Sequence, residues 1–173
     1  VPSAWIGLAS FTVIALLSVL SFVFKIKNLN LITKSIAPIG LLFTCLAIIT
    51  GSIWGQPTWG TWWAWDARIT SMLVLSIFYV LFILAHKLIE KEDKAIKVSN
   101  IIAVIGLINI PVIRYSVDWW NTLHQPSSIK VDGTSSIHPS MLMPLMLMLL
   151  VLLLYCALIL LMKYKTEIIR IKK

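Results

Sequence analysis

Five apolar runs, each near the length of a bilayer-spanning helix, leave this chain few ways to fold. Hydrocarbon offers no water to a backbone N–H or C=O, so such runs must satisfy their own peptide groups and become helices. The runs cover about 3–24, 35–53, 69–85, 98–113 and 141–162. Pro2 suits a helix start, and Pro38 is expected in the first turn of the second span. The fourth run is short for a core roughly 30 Å thick, and Pro111 stands near its end. It is expected either to continue into the next loop or to sit in locally thinned bilayer. What separates the runs is too short to fold alone. The expected class is an all-α, polytopic integral membrane protein forming one unit over 1–173, without soluble domain or internal repeat.

Composition agrees. The chain is 59% hydrophobic and 13% charged, with a mean hydropathy of +0.92, whereas soluble domains carry about 25% charge. The net charge of +8 does not mark a nucleic-acid binder, because the basic residues flank apolar runs without aromatic interleaving. Cys45 and Cys156 lie inside apolar runs far apart, so neither C-x-x-C redox chemistry nor covalent haem attachment is expected. No basic stretch precedes the first run, so no cleavable signal is expected, and the opening Val implies a start downstream of the initiating Met.

Lys and Arg set the expected orientation. The connector after the first run holds Lys25, Lys27 and Lys34; that after the third holds Lys87, Lys91, Lys94 and Lys97. The tail holds Lys163, Lys165, Arg170, Lys172 and Lys173. Between them, loop 54–68 has only Arg68, and loop 114–140 only Arg114 and Lys130. This alternation places the basic segments in the cytoplasm and both aromatic loops outside.

Those two loops carry whatever chemistry the chain has. In the first, Trp54, Trp59, Trp62, Trp63 and Trp65 fall within twelve positions, followed by Asp66 and Arg68. Gly55, Pro57 and Gly60 are expected to break its opening half into turns. If the half from Trp59 onward is helical, Trp59, Trp62, Trp63 and Asp66 share one face. In the second loop, Trp119 and Trp120 precede His124. An aromatic belt is the commoner use of interfacial Trp. The alternative is a surface for a large, flat, apolar ligand. Haem fits that description: indoles offer faces, a histidine an axial nitrogen, and Arg68 and Arg114 partners for propionates. Snorkelling to the interface is an equally good account of either arginine alone. Asp66 is expected to orient Arg68 or to accept a Trp N–H. His86 beside Lys87 reads as an interfacial helix end, and His138 as a loop residue. Asn109 and Thr44, polar inside spans, are expected to join helices.

The stretch Trp54-Gly-Gln-Pro-Thr-Trp-Gly-Thr-Trp-Trp-Ala-Trp-Asp-Ala-Arg68 resembles the WWD motif of bacterial haem-handling proteins. Arg114-Tyr-Ser-Val-Asp-Trp-Trp-Asn-Thr-Leu-His-Gln125 is similar to the second outer-loop motif of one branch, the CcmC family of cytochrome c maturation, and Val1-Pro-Ser-Ala-Trp5 to the start of that family's second span. The resemblance covers nearly the whole chain. It implies a six-helix inner-membrane protein that holds haem b non-covalently at the periplasmic face and loads it onto a periplasmic chaperone, CcmE. A small membrane subunit, CcmD, would assist, and an ABC-type pair, CcmA and CcmB, would release the loaded chaperone. By residue, the resemblance implies a haem platform of tryptophans and His124 as one axial ligand of the iron. The family's other axial histidine would stand immediately before Val1. No catalytic residue is implied, so an enzyme is not expected. Two other readings stand beside this one: a WWD-family haem lyase, and a structural subunit whose tryptophans only anchor it.

Overall fold

The computed structural model describes residues 1–26, 28–120, 122–124 and 137–171, with the side chains of 170 and 171 left aside. Lys27, Lys130, Lys172 and Lys173 of the orientation count lie outside the described residues. So do Asn121 and Gln125 of the second motif and the 125–136 part of its loop.

Six helices follow in order: α1 (Pro2–Phe24), α2 (Asn28–Trp59), α3 (Ala67–Leu88), α4 (Glu92–Leu107), α5 (Asn109–Trp119) and α6 (Pro139–Ile171). Among the described residues there is no strand. Taking α4 and α5 as one segment, five stretches among the described residues are long and apolar enough to cross a membrane.

Three boundaries correct the sequence reading. First, α2 starts ten residues before Pro38 and runs on past Pro57. Pro38 is therefore an interior residue, not a first-turn one, and the helix continues through 54–59, which the sequence reading gave to the outer loop. Second, the short fourth run does continue, but not as one smooth helix. A proline ring collides with the carbonyl four residues back, which for Pro111 is Leu107. The chain accordingly breaks at Ile108, whose N–H turns back to Ile105 and Gly106, and α5 restarts with Pro111 in its first turn. Third, α6 reaches well beyond 162.

The helices pack around α1. Its Phe11, Ile14 and Ala15 are fully buried among Ala37 of α2, Leu75 and Tyr79 of α3, Ala103 of α4 and Ile113 of α5. Helices in lipid gain little from hydrophobic exclusion, so their association rests on close van der Waals fit and a few interhelical hydrogen bonds. Both devices are present. Tyr79 lies against Gly40, where an added Cβ would come within 2.1 Å of its hydroxyl oxygen. That hydroxyl donates to the Gly7 carbonyl of α1 at 2.7 Å. Asn109 donates to the Ser71 carbonyl of α3 at 2.8 Å, which joins α5 to α3 as expected of a polar residue in a span. Among the described residues Thr44 bonds its own helix, to the Gly40 carbonyl at 2.8 Å, and meets α1 by close approach to Gly7 instead. α6 stands apart, resting through Leu149, Leu152 and Cys156 on Ile6 of α1 and on Ile39 and Phe43 of α2. The ends of α1 and α2 are tied by Ser21 donating to Asn30 at 3.0 Å.

Candidate functional site

The tryptophan-rich stretch divides at Gly60. The α2 helix carries Trp54 and Trp59, and then Gly60 takes φ +75°, a left-handed conformation that L side chains avoid and that ends helices. The Gly60 N–H still reaches back to the Gln56 carbonyl at 3.0 Å, closing the last turn. From 60 to 66 the chain is not helical. The expected order is thus reversed: the first half is helix and the second is loop. Trp59, Trp62, Trp63 and Asp66 do not share a helix face. Thr61 folds the loop locally, its hydroxyl bonding the Trp63 carbonyl at 2.9 Å and receiving the Trp63 N–H at 3.3 Å.

Asp66 then starts α3. It is the N-cap, one carboxylate oxygen accepting the Ile69 N–H at 2.8 Å. The other oxygen lies 2.6 Å from Nδ1 of His124, fifty-eight residues along the chain, with Asp66 only 7% exposed and His124 22%. No hydrogen bond joins Asp66 to Arg68 or to an indole among the described residues, contrary to the sequence expectation. Residue spacing could not reveal the pairing with His124. The cap was also missed, although an Asp standing just before an apolar helical run is a signal for one.

Trp59 completes this centre. Its ring meets the His124 imidazole edge-on, centroids 4.7 Å apart and planes at 67°. Trp54 also meets the Trp59 ring, nearly perpendicular at 5.3 Å. The Trp59 indole can lie there because Gly55, one turn back, has no side chain; a Cβ at that position would come within 3.0 Å of the ring. Sequence reasoning treated Gly55 as a turn former, and the structure makes it a seat.

The other expected residues lie around this centre. Trp63 and Trp65 form an edge-on pair at 5.6 Å, the Trp63 Nε1 being buried without a partner among the described residues. Trp65 and Asp66 line a shallow indentation of about 350 Å³ with Thr122 and Leu123 of the second loop. Tyr115 stacks on Trp119, which meets Trp120 edge-on at 5.8 Å. Trp54, Trp62, Trp65, Trp119 and Trp120 all leave more than half of their surface open. Arg68, at the first turn of α3, lies within electrostatic range of Arg114, Asp66 and Asp118. The two expected arginines are therefore close enough for their charges to interact. His138 is elsewhere: its carbonyl accepts the first amides of α6 and its Nδ1 bonds Ser140 at 2.8 Å, so it serves a helix start.

Chemically, the arrangement offers one imidazole held by a carboxylate, exposed indole faces and a pair of guanidinium groups. No cluster of His, Cys, Asp and Glu among the described residues could hold a bare metal ion. A single fixed imidazole instead suits a metal that brings its own equatorial ligands.

Comparison with known proteins points the same way. The family described as Heme exporter protein C, CcmC, matches residues 1–173. Heme exporter protein C of Escherichia coli K12 is 40% identical over the entire chain and 69% of its own length. That of Bradyrhizobium diazoefficiens is 41% identical over 84% of the chain and 56% of its own length. A putative cytochrome c biosynthesis ccmC-like mitochondrial protein of Marchantia polymorpha is 47% identical over 84% of the chain and 60% of its own length. The chain thus spans little more than half the length of these last two relatives. With the family matched from first residue to last, this chain belongs to the heme exporter protein C family.

Proposed function

We propose that this chain binds haem b non-covalently at the outer face of the bacterial inner membrane and passes it to a periplasmic chaperone during c-type cytochrome maturation. The observation that carries the reading is the 2.6 Å contact between Asp66 of the first aromatic segment and His124 of the second, set against Trp59. A carboxylate can only accept, so Nδ1 carries the proton and Nε2 keeps its lone pair for iron. The open indoles of Trp62, Trp65, Trp119 and Trp120 would offer apolar contact to a porphyrin face, and Arg68 and Arg114 would pair with propionates.

Handover is an exchange of ligands. Haem leaves when an incoming chaperone histidine replaces His124, so this chain needs a hold that is poised and not maximal. Apart from the coordinate bond to His124, no bond of the chain is made or broken, and we do not assign it an enzymatic role. In this reading the second axial histidine would stand upstream of Val1, and the partners would be a CcmE-like chaperone, a CcmD-like small subunit and a CcmA/CcmB-like ABC complex.

The test is His124→Ala in the natural full-length protein, purified in detergent. Haem recovered per protein should fall at least several-fold, and the remaining Soret and α/β bands should lose their low-spin character. Added imidazole should restore that character in part, because it can enter the vacated axial position. Unchanged haem content and spectrum would reduce His124 to an ordinary loop residue.

A further inference from the structure

A second cavity lies at the opposite end of the helices from the tryptophans, and the haem reading makes no use of it. Its volume is about 310 Å³. The N-terminal part of α2 forms its floor with Lys34 and Pro38; α3 contributes His86 and Lys87, and α6 contributes Lys163 and Glu167. The cavity exists because α2 packs against both α3 and α6 while those two form no extensive packing with each other. The result is a cleft between two span-length helices. Part of its lining is apolar, with Pro38 of α2 and Ile83 of α3 backed by the buried Phe82 ring.

Charge distinguishes this cleft from an ordinary gap facing lipid. Three ammonium groups stand against one carboxylate, and that carboxylate is engaged by Lys34 at 2.6 Å. Two positive charges remain in excess at the basic end of the protein. Among the described residues, the buried Nε2 of His86 has no hydrogen-bond partner, although its ring packs on Phe82 at 5.1 Å. A buried ring nitrogen without a partner costs free energy comparable to a lost hydrogen bond unless a ligand supplies one.

We propose that this cleft holds the headgroup phosphate of an anionic membrane phospholipid, with an acyl chain descending along its apolar wall. Lys87 and Lys163 would pair with the phosphate oxygens, and His86 Nε2 would complete the set with one hydrogen bond. Basic clefts between helices at the positively charged side of membrane proteins take lipid phosphates for this reason. A soluble anion could use the same groups but would leave the partly exposed apolar lining at Ile83 uncovered.

Native mass spectrometry of the full-length protein in detergent tests the proposal, with phosphatidylglycerol and phosphatidylcholine of identical acyl chains as probes. We expect retained phosphatidylglycerol adducts at lipid levels where phosphatidylcholine leaves few. Lys87→Gln with Lys163→Gln, which spares the Lys34–Glu167 pair, should lower that preference on the order of tenfold. The corresponding Lys→Arg pair should retain it and so exclude general damage to the fold. Equal retention of the two lipids, or an undiminished preference in the Gln variant, would overturn the proposal. Displacement of the adduct by millimolar inorganic phosphate would assign the cleft to a soluble anion and overturn it as well.

Discussion

Asp66 occupies the position where local structure and chemistry meet. One oxygen caps α3 and the other holds His124, so removing the carboxyl group and merely neutralising it are different perturbations. Asp66→Ala loses the cap, at about 1 kcal/mol, together with the partner of the imidazole. Asp66→Asn keeps an oxygen for the Ile69 amide and loses the charge that fixes the tautomer. We expect both variants to bind haem on the order of ten-fold more weakly or worse, with only the Ala variant also melting earlier. Equilibrium titration of haem alongside a thermal melt separates the two effects. Equal melting of both variants would show that the cap contributes little. Sequence alone singled out these residues as candidates, because Trp, His, Arg and Asp stand out against an apolar chain. It did not identify their partners. The Asp66–His124 contact depends on how α3 and the end of α5 come together, and no local pattern encodes that.

Among the elements, α2 departs furthest from what its sequence announces. Gly55 and Pro57 ordinarily punctuate a chain, yet the helix passes through both. A proline in a helix leaves one carbonyl unpaired, here that of Ile53, four residues before Pro57. Near the end of a span that cost is small, because water can reach the carbonyl. The true stop is Gly60, with its positive φ. A Cβ there meets no heavy atom within 4 Å, so the penalty is chiefly conformational. Gly60→Val should therefore cost about 1–2 kcal/mol in the last turn and displace Trp62 to Trp65 without affecting the spans. The expected outcome is normal membrane insertion with reduced haem retention; retention at the parental level would show that the loop tolerates another path. The break at Ile108 was half legible, since Pro111 announces an interruption but not the resumption of a helix that carries Tyr115 and Trp119.

For the whole molecule, the five apolar runs and the alternation of basic connectors specified a membrane-spanning helical bundle before any contact was known. The packing around α1 was not legible. Residues buried in the bundle and residues facing lipid are both apolar, so hydropathy cannot tell Phe11 from Leu16, although one is sealed and the other half open. Orientation remains a proposal, and cysteine accessibility tests it. In intact spheroplasts, Gln56→Cys should react with a membrane-impermeant thiol reagent and Glu92→Cys should not. The opposite pattern would invert the protein and remove the basis for an outer haem site.

The uninterrupted run of α2 from Lys34 to Trp59 also makes it a ruler. Twenty-five residue steps of helix measure about 38 Å, against a hydrocarbon core of roughly 30 Å. One end carries a lysine tied to Glu167, the other an indole packed against an imidazole. Neither end is suited to hydrocarbon, and a helix does not compress. A membrane much thicker than this span would draw one of those ends into its apolar interior, and a much thinner one would make the helix lean. Leaning would carry Trp54 and Trp59 sideways at the outer surface, so the thickness of the host bilayer becomes one of the variables that set where the aromatic cluster presents itself.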